Sequence, residues 1–355
     1  MRRRRPHADH VGAGCAPRHR AVRGGPRGQS QPRAQAPAFR ACDGAGVQRP
    51  RMTAATRVEI ANAPVSYGAF ELTVGIMPDV PDGDAVLDAV ASAGYAGVDL
   101  GPLGYLGYGD ELASNLSRRG LSLSGGFFEL PFTDHGKMTS ALRELGNLLD
   151  AFDALKVGSG QKPKPTLADV GSELRRSRPG QAASDRSLGF GGEEWRRFAE
   201  GVEMAVACCR ERGYEATFHH ETGTRIEAPW EIEKVLELTS IGLCLDTGHL
   251  LLGGGDPASA MREWRHRINH LHLKDARRSV VDQIVREAAP VTEIWRRKAF
   301  CRLGDGDLDV AGVLDQVRDS YRGWIVVEQD VLPEADGAAA ADQLANREFL
   351  AARGF

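Results

Sequence analysis

The sequence predicts an α/β fold, a (β/α)8 TIM barrel carrying a disordered N-terminal extension. Three observations lead there. Strand-like and helix-like segments alternate over about 300 residues after Met52, the pattern of a parallel sheet wrapped by helices. Four late strand-like segments each end in a side chain able to bind a metal, which puts those termini on one rim of a closed barrel. No GxGxxG follows the first strand, which counts against an open doubly wound sheet with a dinucleotide site.

The elements follow in order. Residues 58–63 form a short apolar strand, and a helix covers 84–93 after a loop. Strands are predicted over 97–100 and 121–128, with helices near 109–119 and 137–153. The clearest helix spans 193–212, where Trp195, Phe198, Val202, Val206 and Cys209 recur at spacings of three or four and form an apolar face. Strands return at 215–219, 241–246, 268–273 and 324–328, between helices near 229–239, 256–267 and 309–321. A last helix covers 340–352. Seven strands are legible in this way. The fourth is hidden in 157–190, a stretch rich in Gly, Pro, Lys and Ser, where 166–170 is the one strand-like run.

Residues 1–51 differ from the rest. They hold twelve Arg, no Lys and two acids, Asp9 and Asp43, with no periodic apolar pattern. Such a stretch buries too little apolar surface to offset its conformational entropy, so it reads as a disordered extension, with Met52 as the natural start and 52–355 as a single catalytic domain. The extension carries a charge of +10, which leaves 33 basic and 46 acidic residues in the remainder. That acidic body argues against a nucleic-acid partner. Arg2 to Arg5 are followed by no apolar core, as a secretory signal requires, and no apolar run approaches the ~20 residues of a membrane span. Six scattered cysteines with no CxxC fit reduced thiols in a cytoplasmic protein.

The polar strand ends carry the chemistry. Asp246, in Leu243-Cys244-Leu245-Asp246-Thr247-Gly248-His249, and His272, in Asn269-His270-Leu271-His272-Leu273-Lys274-Asp275, end neighbouring strands and are able to share a divalent cation. Glu328 ends Ile325-Val326-Val327-Glu328, where a buried charge costs several kcal/mol unless paired or coordinated. His219-His220-Glu221 supplies a fourth ligand. Alternation puts His219 and Glu221 on one side of the sheet; hard cations favour the carboxylate Glu221, leaving His219 as a second ligand candidate or a substrate contact. His220 faces the helical layer. His249, just past Gly248, is read as a substrate contact or proton-transfer group, the alternative being an ordinary helix N-terminal residue. His270 shares a face with His272 and is read as a residue that supports the metal ligands or contacts substrate. Lys274 either stabilises an enolate or donates a proton, unless Lys274-Asp275 is a plain surface pair.

In Gly304-Asp305-Gly306-Asp307-Leu308-Asp309, three aspartates argue against an anionic ligand. Asp305 is read as a contact to a neutral polyol and Asp309 as a helix cap. Residues 276–302 lengthen one loop with seven basic residues beside Ile294, Trp295 and Phe300, a lid or subunit contact or else a solvated helix with one apolar stripe.

These segments, together with Asp99-Leu100-Gly101-Pro102-Leu103-Gly104-Tyr105-Leu106 and Leu303-Gly304-Asp305-Gly306, resemble the xylose-isomerase-like barrels of sugar isomerases and epimerases, and within them the inosose dehydratases. The resemblance runs from about Val58 to Leu350. It implies one divalent metal, manganese or cobalt first and magnesium or zinc next, held at Glu221 or His219, Asp246, His272 and Glu328. It further implies loss of water from a neutral keto-inositol through an enolate, with His249, Lys274 and Glu221 as catalytic groups. Isomerisation or epimerisation of a ketose on the same metal site is the alternative. A multi-metal phosphodiesterase on this fold fits less well, because it needs further ligands and a basic surface. A homo-oligomer is compatible with the sequence. The chain departs from the resemblance at Glu221, where relatives carry a second His.

Overall fold

The computed structural model describes residues 58–155, 161–334 and 337–355. The expected extension, 1–51, lies outside them, as do Cys15 and Cys42.

The strands are β1 (Glu59–Asn62), β2 (Gly97–Val98), β3 (Ser122–Leu123), β4 (Gly125–Leu130), β5 (Lys164–Asp169), β6 (Thr217–His219), β7 (Gly242–Asp246), β8 (Ile268–Leu273), β9 (Asp275–Ala276), β10 (Phe300–Cys301) and β11 (Trp324–Val327). Nine of them form one sheet in the order β3-β2-β1-β11-β8-β7-β6-β5-β4, and every pairing in it is parallel. The two ends of this order, β3 and β4, are consecutive in the chain and separated by Ser124 alone. Ser124 donates its N–H to the Val98 carbonyl at 2.9 Å and accepts from the Lys164 N–H at 3.0 Å, so it ties both neighbours across the interruption. The sheet therefore closes, and the expected eight-stave barrel is present.

The fourth stave is β5, where 166–170 was the sequence's one candidate. It starts at Lys164, includes Pro165 and ends at Asp169. All but its first residue are buried, so it shows no alternation for a sequence reading to find.

Helices begin where capping predicts. Asp82, Asp134 and Asp309 each accept a backbone N–H at the starts of Gly83–Ser92, His135–Asp153 and Val310–Ser320. Asp309 thus caps its helix as expected. Gly192–Glu211 buries Trp195, Phe198, Val202, Val206 and Cys209, the five-residue face read from the sequence. Within it, a Cβ on Gly201 would stand 2.2 Å from the Phe132 carbonyl oxygen, a backbone atom with no freedom to withdraw. Gly201→Ala should therefore lower stability by about 1–3 kcal/mol despite alanine's better helix propensity, as read by denaturant midpoint.

The long insertion is a hairpin-based arm. β9 and β10 pair antiparallel, and helices Arg278–Glu287 and Thr292–Arg296 lie between them. Val281, Ile284 and Ile294 are buried beneath it, while Arg297 pairs with Glu287 and Glu293 on its surface. Among the described residues, no helix is long and apolar enough to cross a membrane. Cys208, Cys209, Cys244 and Cys301 are free thiols.

Candidate active site

Parallel pairing sets Asp246 beside His272, and Val326, two residues before Glu328, beside His272 from the other flank. Asp246 and His272 thus lie level with each other, and Glu328, just past β11, reaches back towards them from the barrel mouth. Asp246, His272 and Glu328 present ligand atoms that all lie within 4.8 Å of one another. A second group with the same spacing joins His219, Asp246 and His249. Asp246 belongs to both.

Each side chain has a local reason for its aim. Asp246 caps the short helix Thr247–Leu252: its Oδ1 accepts the His249 N–H at 2.8 Å, which turns Oδ2 into the barrel mouth. There Oδ2 lies 3.4 Å from His219 Nε2, 3.8 Å from His272 Nδ1 and 3.2 Å from Lys274 Nζ. Glu328 extends the ladder through its N–H to Leu273 and places Oε2 3.0 Å from His272 Nδ1. His220 faces outward, and its Nε2 accepts the Asp246 N–H at 3.2 Å. Burial lowers its pKa to about 3 and keeps it a neutral acceptor.

Several of these buried atoms have no aligned hydrogen-bond partner: Asp246 Oδ2, both ring nitrogens of His272, and His219 Nδ1. Orphaned polar atoms in an interior call for an explanation, and two imidazoles with two carboxylates around one point suit a divalent cation. The residues fit such an ion.

Lys274 lies deep in the site, not on the surface. Its ammonium lies 3.0 Å from Glu328 Oε2 and 2.8 Å from Asp330 Oδ1, besides its contact with Asp246. Burial alone would depress its pKa, but these three carboxylates overcome that and hold it well above the usual lysine value. Burial raises the Asp246 carboxyl, and the Lys274 charge reverses this and keeps it well below the ordinary range. His249 is driven well below its usual value by burial and then by Lys274, so its imidazole is neutral. Its Nδ1 faces the Thr222 N–H at 3.3 Å and Nε2 lies 3.7 Å from Asp330.

Three of the expected site residues lie outside the group formed by Asp246, His272 and Glu328. Glu221 is outside both donor groups: β6 stops at His219, and the Glu221 N–H bonds Ile226 as the chain turns. His219 is the residue that points at Asp246. Glu221 still lines the chamber, its pKa raised to about 8 by burial and the nearby Glu129 and Asp330 carboxylates. His270 does not line the chamber; two residues earlier on β8, it is ~7 Å deeper along the strand, packed on His272 and grouped with Cys244. Asp305 is exposed and paired with Arg302 at 2.9 Å. The amides of its glycine loop turn inward onto Asp275, whose carboxylate accepts from Gly304, Gly306 and Leu308 at 2.8, 3.1 and 3.0 Å. Asp275→Ala strips those three amides, and that of Ala276 which the same carboxylate accepts at 2.8 Å, of their acceptor, and faster amide exchange across 302–308 is the expected result.

A family model described as a xylose isomerase-like TIM barrel matches residues 87–350. The chain belongs to this family. Among curated proteins it is similar to an inosose dehydratase of Geobacillus kaustophilus (28% identical over 255 residues, 70% of this chain and 80% of the relative). An inosose dehydratase of Klebsiella pneumoniae is 29% identical over 285 residues, covering 78% and 91% of the two chains. Among solved structures, an IOLI protein with a bound zinc atom superposes with a TM-score of 0.60 at 12% identity, covering 83% of this chain and 97% of that one, a likeness of fold.

This xylose isomerase-like barrel also places two acids in the chamber that the sequence reading passed over. Asp330 lies two residues past Glu328, and burial raises its carboxyl to about 6 against the opposing pull of Lys274. Asp99 follows β2, is buried, and is raised to about 7 by burial, with Oδ2 unpartnered. The signal for Asp99 was the one used on the late strands: a carboxylate closing an apolar run, here Gly97-Val98-Asp99.

Proposed function

We propose that the protein is a metal-dependent dehydratase, a carbon–oxygen lyase that removes water from an inosose. The observation that carries this is the joint one: inosose dehydratases are its relatives over most of both chains, and its own Asp246, His272 and Glu328 converge beside a buried lysine. His219, Asp246, His272 and Glu328 would hold the ion, with His219 in the position first expected of Glu221. This mixed nitrogen and oxygen set suits Mn²⁺, Co²⁺ or Zn²⁺. When bound, the ion supplies fixed positive charge for an oxygen that becomes negative as the adjacent C–H bond breaks.

The remaining groups divide the proton work. With Nδ1–H given to Thr222 Oγ1 at 3.1 Å, neutral His249 takes the proton α to the ketone at Nε2, where Asp330 at 3.7 Å favours the imidazolium so formed and the Lys274 ammonium at 3.4 Å opposes it. Lys274 adds positive charge next to the same oxygen. Glu221, which also lines the chamber, gives its proton to the departing β-hydroxyl, which leaves as water. Protein reconstituted with each of the three metals and given a keto-inositol should yield the absorbance of a dehydrated diketone or its enol. Formation of an epimer with no dehydrated species would replace the lyase with an epimerase.

A further inference from the structure

The chamber just described is small, about 110 Å³. It adjoins a second chamber of about 520 Å³ that the proposed chemistry does not use. Phe70, Glu71, Phe127 and Glu221 line both, so the two form one cleft with a neck at those side chains. The outer walls are firm. Trp295 from the arm lies against Phe70, ring centroids 5.9 Å apart and tilted by 30°. The Val291 N–H bonds the Arg176 carbonyl at 2.8 Å, which ties the arm to the loop after β5. Gly223 packs so closely on the arm that a Cβ there would meet Val291 Cγ2 at 2.8 Å.

The lining is apolar and acidic. Phe70, Phe127, Phe128, Val170, Val291 and Trp295 share it with Glu71, Glu129, Glu144 and Glu221. Arg176 is the one cation in that lining; its Nη1 donates to the Val170 carbonyl at 3.1 Å and its Nε lies 3.7 Å from Glu173. Val170 remains 39% exposed, apolar surface that a ligand would remove from water. The carboxylates disfavour phosphate or carboxylate groups there.

We propose that the natural substrate spans both chambers: a keto-polyol ring in the inner one, carrying an uncharged apolar ring held by Phe70, Trp295 and Val170. This rests on the dehydratase reading of the inner chamber and adds the substituent. The test is calorimetric binding of phenyl, methyl and 4-carboxyphenyl β-glucosides to metal-loaded protein, since none of these has a ketone to react. The phenyl glucoside should bind at least about tenfold tighter than the methyl, and the 4-carboxyphenyl no tighter than the methyl. Trp295→Ala and Val170→Asp should each erase the phenyl advantage, with thermal unfolding reporting that both variants are folded. Undetectable phenyl binding, equal phenyl and methyl binding, or an advantage surviving both substitutions overturns the proposal. Inosose turnover measured alongside separates the two readings. Dehydration without a phenyl advantage refutes the outer chamber alone, and a phenyl advantage without dehydration refutes the inner chemistry alone.

Discussion

Asp246→Asn should leave a folded protein that has lost nearly all bound metal and at least about a hundredfold in kcat/KM. The substitution separates two duties of one side chain. Oδ1 caps the helix Thr247–Leu252 by accepting the His249 N–H, and asparagine performs that task about as well as aspartate. Oδ2 is the oxygen that faces both His219 and His272, and an amide there brings no charge to a cation. Metal content per chain, measured beside the unfolding midpoint, reads the two duties apart. Glu221→Gln is the control, because Glu221 lies outside both groups: it should retain the metal and lose turnover. If Asp246→Asn keeps metal and activity, the ligand set is wrong. If Glu221→Gln loses metal, the ligand supplied after β6 is Glu221 after all.

The barrel was legible because its staves are apolar runs spaced by amphipathic helices, and because charge placed after such a run has few structural uses. That logic points to Asp246, His272, Glu328 and Lys274, which the structure brings together. Applied to the second strand, it points to Asp99 as well. It failed where side-chain direction depends on where a strand stops. Alternation correctly put His219 and Glu221 on one side, but β6 ends at His219 and the turn through Thr222–Thr224 carries Glu221 out of the donor groups. Asp305 lies away from the chamber, exposed beside Arg302, for a related reason. A glycine-rich loop advertises free amides, and nothing local shows that Asp275, distant in sequence, already satisfies them. The hidden stave β5 fails differently, since burial on both faces erases the period on which the reading depends.

Lys274→Met should destabilise the metal-free protein by about 3–5 kcal/mol, on the order of a 10 °C fall in Tm, and divalent metal should restore part of it. The ammonium is buried among Asp246, Glu328 and Asp330 at 3.2, 3.0 and 2.8 Å, and methionine fills a similar volume without the charge. Three buried carboxylates then face one another unpaired. The sign of the pH dependence follows. In the wild type, Asp246 and Glu328 are held below their ordinary range, burial being outweighed chiefly by Lys274 and His272. Their contribution to stability is therefore present above the ordinary carboxylate pKa and is lost as the pH falls below it. In the variant, burial acts with less opposition and raises those carboxyls, so stability should instead increase as the medium is acidified from neutrality towards about pH 5. A bound cation substitutes for the missing charge, so the gap between variant and wild type should narrow on metal loading while turnover stays low. A metal-free variant as stable as the wild type would mean that the carboxylates do not depend on this lysine, and the electrostatic basis of the site would have to be sought elsewhere.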